Sequence, residues 1–496
     1  MKILFTASEA APFAKTGGLA DVAGSLPLAL ASLGHDVAVV MPRYRQVDAA
    51  RYNLKHVTTF TVPLGSWHER CDVLQGVMGD DVTVYFINKD IYFDRPGLYH
   101  AGRADYPDNA ERFIFFSRAV LESCIALNLR PDIIHCNDWQ TGLVPLYLRK
   151  IYGSAEPLRR TKSLFTIHNL GYQGLFPHGD MRLTGLGGDV FTPEGIEFWG
   201  KINFLKAGLV YSDMITTVSR TYSREIQTSE YGAGLEGVLR NRSASLHGIV
   251  NGLNYDEWDP SRDTAIPATF SASRLAGKAV CKKKLLMRLG MPDSGAPIVS
   301  MVTRLVDQKG LDIVTEALPE IMSLGVQLVI LGTGEEKYHR ILSEAASRYP
   351  GRMRVLLQYN DGLAKAVYGG ADLFLMPSRY EPCGLGQMIA LRYGTVPIVR
   401  KTGGLADTVA DYSSKTGRGT GFVFDAYTSP ALVDCLRRAL EVYSNEHKWI
   451  RLMRAGMRED LSWEKSAKEY VKVYRKAIRT ARVMGRGTSS KGKRYR

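Results

Sequence analysis

No stretch of the sequence stays apolar for the length that a membrane-spanning helix needs, so no membrane protein is expected. The opening residues, MKILFTASEAAPFAKTGG, hold only a short apolar run that Glu9 interrupts. They read as a first strand rather than as a signal peptide. An Arg- and Ser-rich organellar leader is lacking as well, and a cytoplasmic protein is the expectation. Cysteine is sparse. Cys71, Cys124, Cys136, Cys281, Cys383 and Cys435 stand apart with no Cys-x-x-Cys pair, which argues against a disulfide framework or a structural zinc. The phosphate-loop pattern GxxxxGK[ST] does not occur, nor does an Asp-x-Asp pair for a metal–diphosphate. In LGTGEEK, Gly332 and Gly334 follow an apolar run, but Lys337 stands where a dinucleotide fingerprint has its third glycine.

Charge of one sign is in surplus, at +14 for 496 residues. From Lys476 to Arg496 there are eight Lys or Arg and no acid, so the body carries only about +6. That leaves little case for a nucleic-acid binder: the end of the chain, 476–496, reads as a solvated, disordered basic tail. The modest excess in the body suits a small anionic ligand.

The length calls for two domains. In the first half, KILFTAS, DVAVVMP, VTVYFIN, DIIHCND, KSLFTIH and MITTVS are near-continuous apolar runs, the pattern of strands buried on both faces. Helical patterns alternate with them, as in GLADVAGSLPLALASLG, which ends at Gly34 in a C-cap position. The alternation loosens at NGLNYDEWDPSRD, residues 251–263. A second series then runs through APIVSMVTR, VQLVILGTG, RVLLQ, ADLFLMPS, TVPIVRK and GFVFD. The expected architecture is α/β, with doubly wound domains at 1–255 and 256–475 and a cleft at the carboxyl ends of their strands.

One heptapeptide, KTGGLAD, occurs twice, at 15–21 and 401–407, each time between a strand and a helix. Gly17 and Gly18 remove Cβ atoms where a ligand approaches the backbone, Lys15 adds a cation, and the helix amides favour an anion. A purely structural turn satisfies one copy taken alone. In RYEPCGLGQ, Glu381 follows a strand and Cys383, Gly384 and Leu385 present amides; Glu381 suits sugar hydroxyls or simply a helix cap. In TRLVDQKGLD, Arg304 and Lys309 suit a diphosphate, or a solvated surface loop. HCNDWQTG places Asp138 and Trp139 past a strand, and FTIHNLGYQG ends the next strand at His168, facing a cleft or a core. Trp139 is either a packing residue or a flat face for a sugar, and Tyr359 in LLQYND is a candidate for stacking on a base.

Together, in order and spacing, these motifs resemble the bacterial glycogen synthases and the related plant starch synthases, from the first strand to about residue 475. The resemblance implies a GT-B fold and transfer of glucose from ADP-glucose to the non-reducing 4-hydroxyl of glycogen or a maltooligosaccharide, with retention. No metal or other cofactor is implied, and neither nucleic acid nor membrane as a partner. Carried over by motif, Lys15, Gly17, Gly18, Arg304, Lys309, Tyr359, Cys383, Gly384 and Leu385 line the donor site. Thr402, Gly403 and Gly404 give backbone donors to the phosphates. Asp138, His168 and Glu381 surround the reacting glucose, and Trp139 faces the acceptor. The final helix, SWEKSAKEYVKVYRKAI, is expected to return to the first domain.

Overall fold

The computed structural model describes residues 1–486 except Arg103 and Tyr359, and the chain divides into two compact units. The first comprises Met1–Val218, Ser223–Gly252 and the chain from Trp463 onward. The second comprises Leu253–Ser462 with the short segment Ser219–Tyr222.

In the first unit, β1 (Lys2–Thr6), β2 (Asp36–Pro42), β3 (Lys55–Leu64), β4 (Trp67–Met78), β5 (Val82–Asn88), β6 (Ile133–Asn137), β7 (Lys162–Ile167), β8 (Met214–Thr217) and β9 (Leu246–Gly248) form one sheet. Its order is β9-β8-β7-β6-β1-β2-β5-β4-β3. Pairing is parallel from β9 to β5, and β4 and β3 add an antiparallel hairpin at the edge. That hairpin was not among the expected strands. It is half exposed and alternates in polarity, so it lacks the continuous apolar run of a strand buried on both faces. The chain leaves β1 toward β2 on one side and later fills β6 to β9 on the other, so the direction reverses between β1 and β6. Ligands of open α/β sheets bind beyond the carboxyl ends of the strands at such a point.

The terminal helix (Trp463–Arg486) belongs to this unit, so 256–475 is not one body. Ala467, Tyr470, Val471, Tyr474 and Ala477 recur at helical spacing and are buried. Tyr474 also hydrogen-bonds the buried His135 of β6 through its hydroxyl, at 2.8 Å. The expected tail beginning at 476 is corrected accordingly: the helix runs through Arg486, because Lys and Arg are good helix formers, and Lys472, Arg475, Lys476 and Arg479 are exposed on its outer face. Residues 487–496 lie outside the described residues.

The second unit has β10 (Ile298–Val302), β11 (Gln327–Leu331), β12 (Met353–Leu356), β13 (Leu373–Met376), β14 (Val396–Arg400) and β15 (Phe422–Phe424), all parallel, in the order β12-β11-β10-β13-β14-β15. Successive side chains go to opposite faces. Val299, Met301, Leu328, Ile330, Leu373 and Ile398 pack against the helix Leu311–Ser323. Ile298, Val329, Leu331 and Phe374 join Phe270, Leu285 and Tyr393 on the other side. Burial on both faces is what produced the unbroken apolar runs in the sequence. Here the winding reverses between β10 and β13.

Candidate functional site

Each unit gathers its candidate residues at its own switch point. In the first, the loop after β1 is folded on itself rather than left open. Glu9 is 3% exposed, and its Oε2 accepts from both the amide and the hydroxyl of Thr16, each at 2.6 Å. Burial pushes the Glu9 carboxyl up to about 7, against the lowering effect of the Thr16 hydrogen bonds. Lys15 Nζ donates to Asp21 Oδ1 at 2.6 Å, so the lysine and the acid of the first KTGGLAD hold each other. Gly17 precedes the helix Gly18–Ser32 in extended conformation.

The loop after β6 begins at Asp138, whose φ of +54° is uncommon for a residue with a side chain. The conformation turns its carboxylate onto the end of β7, where Oδ1 accepts from the His168 amide at 2.8 Å. Burial raises the Asp138 carboxyl to about 7; the His168 and Asn169 amides lower it and Glu9 raises it. Burial lowers His168 to about 3, so its ring is neutral. Its tautomer follows from Asn137: that side chain donates from Nδ2 to Thr6 O at 2.9 Å and presents Oδ1 to His168 Nε2 at 2.9 Å. Nε2 therefore carries the proton. With the Nε2 hydrogen bond given to Asn137, the neutral imidazole keeps only Nδ1, which is suited to accepting one hydrogen bond from a sugar hydroxyl and not to carrying charge.

Trp139 packs within the loop region and stays partly exposed. Phe113 meets its ring edge-on at 4.9 Å and Phe176 lies at 5.6 Å. A Cβ on Gly174, at φ +64°, would come within 2.5 Å of Trp139 Cε3. These neighbours fix the ring and cover part of it, leaving the rest exposed.

In the second unit, loops from adjacent strands converge. Residues 304–310 follow β10 and lie against 377–381 after β13: a Cβ on Gly310 would stand 2.2 Å from Pro377 O, and Arg379 N donates to Gln308 O at 2.9 Å. Lys309 Nζ and Glu381 Oε2 form an ion pair at 2.5 Å, with side chains 15% and 6% exposed. Ser378 Oγ donates to the same carboxylate oxygen at 3.1 Å. Lys309 is thus not an uncommitted cation. Arg304 is exposed and reaches Gln308 Oε1 at 3.5 Å. Cys383 is buried, and Gln387 Nε2 donates to the carbonyls of Cys383 and Gly384 at 3.0 and 2.9 Å, fixing the turn into the helix Gly386–Arg392. Leu385 directly precedes that helix. Tyr359 lies outside the described residues.

The second KTGGLAD follows β14 and packs onto this same turn. Gly403, at φ +42°, would place a Cβ 1.8 Å from Glu381 O, and Gly404 one 2.1 Å from Cys383 O. The Gly404 amide donates to Glu381 O at 3.1 Å, and the Thr402 amide to Arg400 O at 3.0 Å. Of the three amides expected to face phosphates, those of Thr402 and Gly404 are spent on protein carbonyls. Asp407, the counterpart of Asp21, accepts instead from the amide and hydroxyl of Thr221, at 2.9 and 2.6 Å.

The two copies therefore use glycine for different reasons. A Cβ on Gly18 meets nothing within 4 Å, and one on Gly17 only Glu9 Oε1 at 3.8 Å. Gly404→Ala is expected to destabilise the protein by about 1–3 kcal/mol through overpacking against fixed backbone. Gly18→Ala should leave the thermal midpoint unchanged or higher and act only on substrate KM; thermal unfolding beside steady-state kinetics checks both.

Glu9, Asn137, Ser378 and Gln387 hydrogen-bond residues of the candidate loops and were not flagged by the motifs. In the sequence Glu9 counts only as a charge breaking an apolar run, yet an acid inside a buried strand-end stretch was itself the available signal.

Comparison with known proteins agrees across both units. Residues 2–241 match the model of the starch synthase catalytic domain, and residues 290–455 that of glycosyl transferases group 1. The glycogen synthase of Koribacter versatilis (strain Ellin345) is 48% identical over 477 residues, spanning 96% of this chain and 98% of its own. That of Syntrophotalea carbinolica is 48% identical over 480 residues, spanning 96% and 99%. Among solved structures, the catalytic domain of starch synthase IV from Arabidopsis thaliana, bound to ADP and acarbose, is similar at a TM-score of 0.89 and 34% identity, over 96% of this chain and 99% of that one. A sucrose-phosphate synthase from Thermosynechococcus elongatus, at 17% identity and a TM-score of 0.59 over 97% and 99%, shares the fold alone.

Proposed function

The chain belongs to the glycogen synthase family of GT-B glycosyltransferases, and from that premise we propose that it transfers glucose from ADP-glucose to the 4-hydroxyl at a non-reducing glucan end. The acceptor is glycogen or a maltooligosaccharide, the new link is α-1,4, and the anomeric configuration is retained. The observation that carries this reading is the part-buried Lys309–Glu381 pair where the loops of β10, β13 and β14 meet. One ammonium serves a departing diphosphate and one carboxylate serves sugar hydroxyls, side by side, as a nucleotide sugar requires.

In the reaction the bond from the anomeric carbon to the diphosphate oxygen breaks and the bond to the acceptor oxygen forms. The acceptor proton passes to the leaving phosphate on the same face of the ring. Lys309 and Arg304 stabilise the growing negative charge, so no metal is assigned to that task. Asp138 and the neutral His168 are assigned to the glucosyl ring, and the backbone at His168 to stabilising the positive anomeric carbon. A carboxylate nucleophile on the opposite face is the usual alternative for retention. Trapping a covalent glucosyl adduct on Glu381 or Asp138 would overturn front-side attack.

Among the described residues no helix is long and apolar enough to cross a membrane. The six cysteines are free and buried, which supports a reducing, cytoplasmic setting. The donor assignment is tested with purified protein, a glycogen primer, and ADP-glucose or UDP-glucose in parallel. Nucleotide release that depends on primer is expected to be faster with ADP-glucose; faster release with UDP-glucose would reverse the assignment.

A further inference from the structure

We infer that the first unit carries a second glucan contact, a platform built around Trp199 that holds the acceptor chain away from its reacting end. The inference rests on the reading of the protein as a glucan-using transferase.

Trp199 is 84% exposed, the most exposed large apolar side chain among the described residues. It sits at the tip of a hairpin whose strands, Glu197–Phe198 and Lys201–Asn203, pair Phe198 with Lys201. Trp199 and Gly200 are thus the two turn residues, at φ +52° and +76°. Turns with both central residues in the left-handed region favour Asn-Gly, because a bulky side chain there is strained by about 1 kcal/mol or more. The chain places an indole at this strained position and leaves it in water. Such an arrangement persists where the ring has something to bind.

The tip is braced. Phe198 meets Trp199 edge-on at 6.2 Å, and Gly200 N donates to Glu197 Oε1 at 2.7 Å. A Cβ on Gly234, at φ +82°, would come within 2.8 Å of Phe198 Cζ and 3.7 Å of Trp199 Nε1, so the loop backbone there supports the ring closely. Gln173 Nε2 donates to Ala233 O at 3.0 Å, tying the same loop to residues 168–174. That segment starts at His168 in the candidate site and carries Tyr172, 56% exposed, four residues later. The loop beside the indole is therefore tied directly to the segment that begins at the glucosyl half-site.

Exposed backbone at Ala233 and Gly234 lies beside the indole, so the apolar surface is interrupted by polar groups. A protein interface wants a contiguous apolar centre. An α-1,4-glucan instead offers separate apolar ring faces edged by hydroxyls, which suits a flat ring flanked by amides.

Trp199→Gly relaxes the left-handed turn, so its thermal midpoint should not fall, and Trp199→Tyr keeps a ring. Co-sedimentation with glycogen, without nucleotide sugar, reads the platform even if the donor assignment fails; that failure would show separately as no nucleotide release by the wild type. Trp199→Gly is expected to weaken glycogen retention about tenfold and to raise KM for glycogen about tenfold relative to KM for maltotriose, with Trp199→Tyr recovering most of the loss. Unchanged glycogen retention, or equal changes for glycogen and maltotriose, would overturn the proposal. So would a change in oligomeric mass with glycogen binding intact, which would make the hairpin a protein contact.

Discussion

Lys309→Met is expected to lower turnover by about two to three orders of magnitude, the usual cost of removing a preorganised charge that stabilises a developing anion. Affinity for ADP should fall about ten- to a hundredfold, as for loss of a charge-assisted hydrogen bond. The variant also leaves the Glu381 carboxylate, 6% exposed, with Ser378 as its remaining side-chain partner, and an uncompensated buried charge costs about 3–5 kcal/mol. Loss of activity through partial unfolding is therefore the competing explanation. The double variant Lys309→Met, Glu381→Gln separates the two, because it removes both charges at once and should regain most of the thermal stability. Turnover should stay low in it, since neither the diphosphate nor the sugar hydroxyls regain their partner. Recovery of turnover together with stability would show the pair to be a structural ion pair alone.

What the sequence disclosed follows from where its information is local. Strands buried on both faces leave unbroken apolar runs, so β10 to β15 were readable from end to end, whereas the half-exposed β3–β4 hairpin was not. The terminal helix advertised its apolar spacing, yet its membership of the first unit depends on Tyr474 meeting His135, some 339 positions away. The repeated KTGGLAD shows the limit most clearly. Identical residues at equivalent strand-to-helix positions gave identical expectations, but the protein presses carbonyls of 381–383 against one pair of glycines and nothing against the other. Trp139 was undecidable for the same reason: the neighbours that hold its ring, Gly174 and Phe113, come from elsewhere in the chain. The motifs pointed to loops after strand ends in both units, where the candidate residues of each unit gather. The partners that set each residue's charge state come from elsewhere in the chain.

Asp138→Asn should lower turnover by about two to three orders of magnitude while leaving the fold intact. Asparagine has nearly the shape of aspartate and so adds no steric demand to the strained backbone at this position, φ +54° and ψ −177°, and its Oδ1 can still accept the His168 amide. The substitution thus removes the negative charge without disturbing the loop, which alanine, strained there and lacking the acceptor, would not do. If Asp138 serves only to hold the amide, Asn should behave as the wild type. If its carboxylate is needed beside the positive anomeric carbon, rate is lost although His168 stays in place. Titration supplies a second readout. The native carboxyl is raised by burial to about 7 from an ordinary value near 3.8, so the folded state binds the proton more tightly than the unfolded state between those limits. Its contribution to stability is then greatest below about pH 4 and is lost as pH rises through 7. The Asn variant should flatten that part of the stability profile, leaving the slope due to Glu9, whose carboxyl is raised to about 7 by burial. Activity of the wild type should rise over the same window as the carboxylate forms, and the residual activity of the Asn variant should rise less steeply. An unchanged pH–rate profile together with full turnover would remove Asp138 from the chemistry and leave it as a brace for the end of β7.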